Sequence, residues 1–240
     1  SAVRAERWTG SARGSQNGLL LFSERGVGVG IFVKGEPIEG ARNMAGEFGH
    51  LTVESEAEDR CECGKRGCVE AIASSPNIIR QYARSSGRRA SDLRITDVFE
   101  KVRQKDPGAV AVIDRACRAL GLAVSHAINL LNPEILILGG DLALGEDILL
   151  PRIAKEAARH ALPELMKGLQ ITASLLGSDM RLKGAGALAF QKSLTDPELL
   201  KKMCSPLHLR QGRLEASGKR SNATRETRQS PESSSRGTVL

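Results

Sequence analysis

Three of the five cysteines in this chain fall inside one short stretch, "CECGKRGCVE", from Cys61 to Glu70. One residue separates Cys61 from Cys63, and four separate Cys63 from Cys68. Thiols this close converge on one centre only where the backbone turns tightly. Gly64 and Gly67 supply that freedom. Three thiolates leave one position open around a tetrahedral ion, and the nearest upstream histidine is His50, in "GEFGH" at Gly46 to His50. A Cys3His set is a common structural zinc composition. His126, His160 and His208 fall within or after helical patterns and are poorer ligands. Lys65 and Arg66 would lower the thiol pKa values and offset thiolate charge. The competing reading is three unliganded, redox-active thiols. Against it, thiols at this density cross-oxidise, and nothing else in the stretch orders the loop.

Two carboxylates flank the cluster. Glu47 lies three residues before His50, and Glu70 two residues after Cys68. An ion that draws the two ends of the loop together sets both carboxylates at one cleft. Carboxylates that accept hydrogen bonds from hydroxyls are what a sugar site requires. The plain alternative for either glutamate is a solvated side chain.

The elements that must position these groups alternate between strand and helix. Gly18 to Ser23 is a short apolar run, and Gly26, Gly28 and Gly30 then alternate with Val27, Val29 and Ile31 before a turn at Lys34 to Glu36. The pattern from Ala41 to Cys68 is irregular and glycine-rich. Two helices follow, in "SSPNIIRQYARSSG" and in "SDLRITDVFEKVRQKD". A long helix opens at Asp106-Pro107, a cap followed by a first-turn proline. Its apolar stripe is Val110, Ile113, Cys117, Leu120, Val124, Ile128 and Leu131. Asn132-Pro133 ends it. "EILILGG", Glu134 to Gly140, reads as a buried strand, Ile148 to Leu162 as a helix, "LQITASLLG" as a strand and "GAGALAF" as the start of a last helix. This alternation predicts an α/β domain over residues 1–195.

Composition bounds the rest. The chain has 240 residues, 40% hydrophobic but only 3% aromatic, so the core must be aliphatic. No apolar run approaches the ~20 residues of a membrane span. The N-terminal "SAVRAERWTG" lacks the apolar centre of a signal peptide. A cytoplasmic location and no membrane partner are expected, and the clustered, odd-numbered cysteines agree with a reducing compartment. The net charge of +7 is mostly local: Lys201 to Leu240 carries nine Lys or Arg and three Asp or Glu. That stretch is polar and rich in Ser and Arg, so residues 196–240 are expected to form a disordered basic tail, not a nucleic-acid groove.

"GEFGHLTVE" followed by "CECGKRGCVEAIAS" resembles the signature of the ROK family, which groups bacterial repressors, open reading frames of unknown role and sugar kinases. The resemblance runs from about Ala2 to Gln191. It implies that His50, Cys61, Cys63 and Cys68 bind a structural zinc, and that Glu47, His50 and Glu70 hold the sugar. It also implies an actin-like (ribonuclease H-like) ATPase fold of two α/β lobes, of which this chain carries mainly the C-terminal one. By the same resemblance the chain begins just after an Asn-Asp motif that supplies the general base of kinase members. An N-terminal phosphate loop, Asp-x-Gly-Gly-Thr, would also precede it. Where kinases carry a Gly-Thr-Gly loop this chain reads "ERGVGVG", with Glu24 and Arg25 in place of the Gly-Thr pair. Gly26 and Gly28 keep backbone amides for an anion nest; their plain alternative is a tight hairpin. Gly139 and Gly140, in "ILGG", match the place where the family packs adenosine; their plain alternative is a strand ending in a turn.

Phosphoryl transfer depends on positioned charge and an oriented nucleophile. A chain without the base and with a glutamate in the phosphate loop is therefore expected to sense a sugar, not to phosphorylate it. The expectation is the sugar-binding portion of a ROK-type transcriptional regulator, homodimeric or homotetrameric, reaching DNA only through a helix-turn-helix outside this chain. Two alternatives stand beside it: a ROK sugar kinase lacking its N-terminal lobe, with ATP as cofactor, and a zinc-stabilised interaction module without a ligand.

Overall fold

The computed structural model describes residues 2–177 and 180–195. The expected basic tail, residues 196–240, lies outside them. Five strands form one mixed sheet: β1 (Gly18–Ser23), β2 (Val27–Val33), β3 (Glu36–Pro37), β4 (Ile135–Gly140) and β5 (Gln170–Ala173), in the order β3-β2-β1-β4-β5. β1, β2 and β3 are an antiparallel meander, whereas β4 and β5 add parallel to β1. The turn that reverses β2 into β3 places Lys34 at φ 50° and Gly35 at φ 81°.

The strand sequences follow from burial on both faces. Leu19 and Leu21 of β1 and Leu136 and Leu138 of β4 enter one core, whereas Leu20, Ile135 and Ile137 enter the other. A strand covered on both sides reads as a continuous apolar run, as "LLLF" and "ILIL" do. The larger core is roofed by α5 (Pro107–Leu131) and α6 (Glu146–His160), with α2 (Val69–Ala73), α3 (Ser75–Ser86) and α4 (Ile95–Arg103) packed on α5. The opposite face is covered by α1 (Ala2–Thr9) and α8 (Met180–Thr195), which meet at an edge-to-face contact of Trp8 with Phe190, 5.8 Å between ring centres. A further short helix, α7 (Pro163–Met166), precedes β5.

The long helix has the ends its sequence specifies. Asp106 Oδ1 accepts from Ala109 N at 2.8 Å, and Asn132 closes the helix in the left-handed region at φ 44°. Ile113, Cys117, Leu120, Val124 and Ile128 are buried, while Val110 and Leu131 pack at the margin of the same core. α6 starts at Glu146, two residues ahead of the apolar pattern, because Glu146 and Asp147 favour the positive end of the helix dipole. α2 and α7 are too short to show a periodic signal and are visible only in three dimensions. Among the described residues no helix is long and apolar enough to cross a membrane.

Candidate functional site

The "GEFGH" segment lies along β2. Gly46 O accepts from Val29 N at 2.9 Å, so the motif continues the edge of the sheet for one residue pair. Gly46 has φ 91°, and a Cβ there would collide with the Val29 carbonyl oxygen. A Cβ at Gly49 would collide with the carbonyl of Val27. Only glycine permits this approach. Phe48 is buried in the core, and Phe48–His50 forms a single 3-10 turn that presents Glu47 and His50 on its outer side.

From His50 the chain runs out as an irregular loop and returns at Cys68. Isolated bridges join Thr52 to Cys68 and Arg60 to Arg66. Cys61 N donates to Lys65 O at 2.9 Å, which closes the turn around Gly64 at φ 89°. A Cβ at Gly67 would collide with the carbonyl oxygen of Glu54, and Gly67 O accepts from Val53 N at 2.9 Å. Both glycines of the cysteine stretch therefore stand where the expected tight turn requires them.

His50, Cys61, Cys63 and Cys68 come together, each offering one donor atom within 4.8 Å of the others. His50 Nδ1 is 3.5 Å from Cys61 Sγ, and the Cys63 and Cys68 sulfurs are 3.7 Å apart. A tetrahedron built on metal–sulfur bonds of about 2.3 Å has edges of about 3.8 Å. The donor set and its spacing thus fit a divalent ion of the zinc class. Burial pushes the Cys68 thiol up to about 12 and raises Cys61 as well, whereas the backbone N–H of Lys65 pulls Cys63 down. Without a cation the two inner thiols keep their protons at neutral pH. A bound ion supplies the charge that draws them off.

The other imidazole nitrogen faces away from the sulfurs: His50 Nε2 lies 3.8 Å from Glu47 Oε2. Glu70, in the first turn of α2, accepts from Val27 N through Oε2 at 3.0 Å, and its Oε1 is 4.0 Å from Cys61 Sγ. Gly26 makes this possible, because a Cβ there would collide with Glu70 Oε2. Glu47, His50 and Glu70 therefore gather where the β1–β2 turn meets the loop. Gly28 and Gly139 flank Phe22 on the two strands that neighbour β1, and Gly140 pairs with Ser23. The four glycines thus collect at the carboxyl ends of β1 and β4, the end at which open α/β sheets bind ligands. The Ser23 hydroxyl is buried at this same edge without a hydrogen-bond partner among the described residues.

Two features gave no local signal. Arg115, on α5, donates to Glu54 Oε2 at 2.7 Å and Asp59 Oδ2 at 2.5 Å and so pins one arm of the cysteine loop to the core helix. These carboxylates raise its already high pKa. Arg25, Arg60 and Arg80 line the cleft beside Glu70. Their sequence separations carry no periodicity, so only the fold assembles them.

Comparison with known proteins agrees with this geometry. The ROK family profile matches residues 1–192. The chain belongs to the ROK family. Its mixed sheet is consistent with the actin-like sugar kinase fold of that family. It is 34% identical over 202 residues to a glucokinase of Halalkalibacterium halodurans, covering 80% of this chain and 61% of that protein. It is 31% identical over 183 residues to the Escherichia coli K12 DNA-binding transcriptional dual regulator NagC, covering 73% of this chain and 45% of the regulator. The crystal structure of a ROK family transcriptional regulator, a homologue of the E. coli MLC protein, superposes with a TM-score of 0.74 at 31% identity, over 84% of this chain and 52% of that one. The chain spans about half to two thirds of the length of these ROK relatives.

Arg115→Gln tests how the loop is held. With both carboxylates left unpaired on a half-buried arm, stability is expected to fall by about 1–2 kcal/mol. Arg103→Gln, which breaks an exposed pair with Asp147, should cost less than about 0.5 kcal/mol. Urea unfolding of both variants is the measurement, and equal losses would show that Arg115 does not anchor the loop.

Proposed function

We propose that this ROK chain is a zinc-stabilised sugar sensor, the effector-binding part of a transcriptional regulator, and not a sugar kinase. The observation that carries the reading is the meeting of two groups at one edge of the sheet. The His50, Cys61, Cys63 and Cys68 donors form one group, and the carboxylates stand against it: Glu47 Oε2 lies 3.8 Å from His50 Nε2, and Glu70 Oε1 lies 4.0 Å from Cys61 Sγ. Zinc would hold His50 through Nδ1 and leave Nε2 to contact a sugar hydroxyl, with Glu47 and Glu70 accepting from neighbouring hydroxyls. A metal that fixes the ring orientation of a ligating histidine also fixes the direction of its second nitrogen. Zinc here supplies structure; the chain's own carboxylates and imidazole do the binding.

Glu24 at the β1–β2 turn argues against nucleotide chemistry, because a carboxylate beside a triphosphate repels it. Gly26, Gly28, Gly139 and Gly140 would contact ATP only under the kinase reading. One observation favours that second reading: the Halalkalibacterium halodurans glucokinase shares a higher identity with this chain than NagC does. The domain division follows the same proposal, residues 1–195 as the sugar-binding α/β unit and 196–240 as a separate basic tail. The assembly would be a homodimer or homotetramer, with DNA contacted through a helix-turn-helix elsewhere in the full regulator.

A panel of glucose, N-acetylglucosamine and xylose, three of the sugars named by its curated relatives, tests the proposal on the purified chain. Calorimetry is expected to find saturable, one-site binding of at least one of them, with no phosphorylated product when ATP and magnesium are added. Sugar-dependent ATP turnover would replace the sensor with the kinase. Absence of binding across the panel would leave the interaction module.

A further inference from the structure

Cys63 stands apart from the other thiols of the described residues. Cys61, Cys68 and Cys117 are buried, whereas Cys63 is exposed. It lies on the outer turn of the cysteine loop, where Glu62, Gly64, Lys65 and Arg66 are exposed as well. Two cations against one carboxylate leave that turn electropositive, the setting in which reactive thiols are found. The Cys63 sulfur also has a second thiol within reach, because Cys68 Sγ lies 3.7 Å away. Cys61 Sγ instead has His50 Nδ1 at 3.5 Å and Glu70 Oε1 at 4.0 Å. A disulfide closes at about 2.0 Å. Gly64 and Gly67, at φ 89° and 62°, stand between Cys63 and Cys68 and give the backbone room to close it. One thiol open to solvent with a second one behind it is the arrangement of a peroxide-reactive cysteine and its resolving partner. A purely structural ion is served equally well by buried sulfurs, so the exposure of Cys63 is the one feature of the cluster that metal binding does not use.

We propose that Cys63 is an oxidation site for hydroperoxides, and that its oxidation onto Cys68 releases the metal. The inference rests on the zinc reading of His50, Cys61, Cys63 and Cys68, and it adds a regulation of that centre. As ligands the two sulfurs are held deprotonated. An electron pair of Cys63 Sγ attacks one oxygen of the hydroperoxide. An S–O bond forms, the O–O bond breaks, and the departing oxygen takes a proton from solvent. Cys68 Sγ then attacks Cys63 Sγ. The S–S bond forms, the S–O bond breaks, and the hydroxide that leaves takes a second proton to become water. The two sulfurs have given up two electrons, and the two peroxide oxygens have gained them. With Cys63 and Cys68 joined to each other, His50 and Cys61 are left as two donors for an ion that requires four. Cys68 leads directly into α2, so the change falls two residues from Glu70.

Hydrogen peroxide added to the zinc-loaded full chain tests this. Elemental analysis fixes the zinc content beforehand, a colorimetric chelator follows the released metal against an untreated control, and alkylation with peptide mass spectrometry maps the thiols. Zinc is expected to be lost in step with the Cys63 and Cys68 thiols, and these two residues should be recovered in one disulfide-linked pair of peptides. After catalase has removed the peroxide, dithiothreitol and added zinc should restore both thiols and the metal. Cys204→Ser, which removes the one cysteine outside the described residues, should respond as the unsubstituted chain does. Zinc retained with Cys63 still open to alkylation after peroxide overturns the oxidation site and leaves the metal reading standing. Zinc released with Cys63 bridged to Cys61, or with Cys63 oxidised beyond the disulfide, overturns the pairing with Cys68. A chain that holds no zinc before treatment removes the metal centre itself, and this inference with it.

Discussion

Cys68→Ser is expected to strip the protein of its metal and lower its stability by about 3 kcal/mol or more. For a domain of this size that is a fall in melting temperature of roughly 6–12 °C. Cys68 is fully buried, its sulfur lies 3.7 Å from that of Cys63, and its own residue starts the chain back into α2. A metal joined there would hold the return arm of the loop against the "GEFGH" turn. Val69 N also donates to Leu51 O, so the two ends are tied by backbone as well. Cys63 is exposed, so Cys63→Ser should lose the metal with a smaller secondary cost in packing. The measurements are elemental analysis, expected near one equivalent of zinc per chain in the unsubstituted protein, and thermal unfolding with and without a strong chelator. A chelated, zinc-free protein that melts at the same temperature and still binds its sugar would remove the metal from the account.

Glu70→Ala is expected to weaken sugar binding by about 10- to 100-fold while leaving zinc content unchanged, the size of a lost charge-assisted hydrogen bond. The carboxylate sits between two duties. Oε2 accepts from Val27 N at 3.0 Å, and Oε1 faces the cleft 4.0 Å from Cys61 Sγ. Alanine abandons both and leaves the Val27 N–H without its acceptor. Glu70→Gln keeps an acceptor for Val27 and removes only the charge. Its stability should stay near that of the unsubstituted protein while its sugar affinity still falls. This pair separates binding from folding. Sugar affinity that survives in both variants would move the binding site away from Glu70.

Much of this was legible in the chain because it is written locally. The cysteine spacing, with Gly64 and Gly67 between the thiols, defines a turn that can hold an ion without reference to the rest of the fold. The stripe on α5 and the Asp106 and Asn132 caps are properties of consecutive residues, so its ends agree with the sequence to within a residue. The runs "LLLF" and "ILIL" announce strands buried on both faces. Glu47, His50 and Glu70 belong to two short motifs on either side of one metal-sized loop, and their convergence follows from closing it.

The tertiary structure alone decided which distant residues share a surface. Arg115 reaches Glu54 and Asp59 across 61 and 56 positions of chain, and nothing in the spacing foretells it. The Val27 N–H that fixes Glu70, the edge of β2 that receives Gly46, and the cleft shared by Arg25, Arg60 and Arg80 are likewise products of packing. The physical reason is that local spacing records turns and periodicity. Contacts between elements depend on how the helices cross the sheet, which is set by the shape of the whole core.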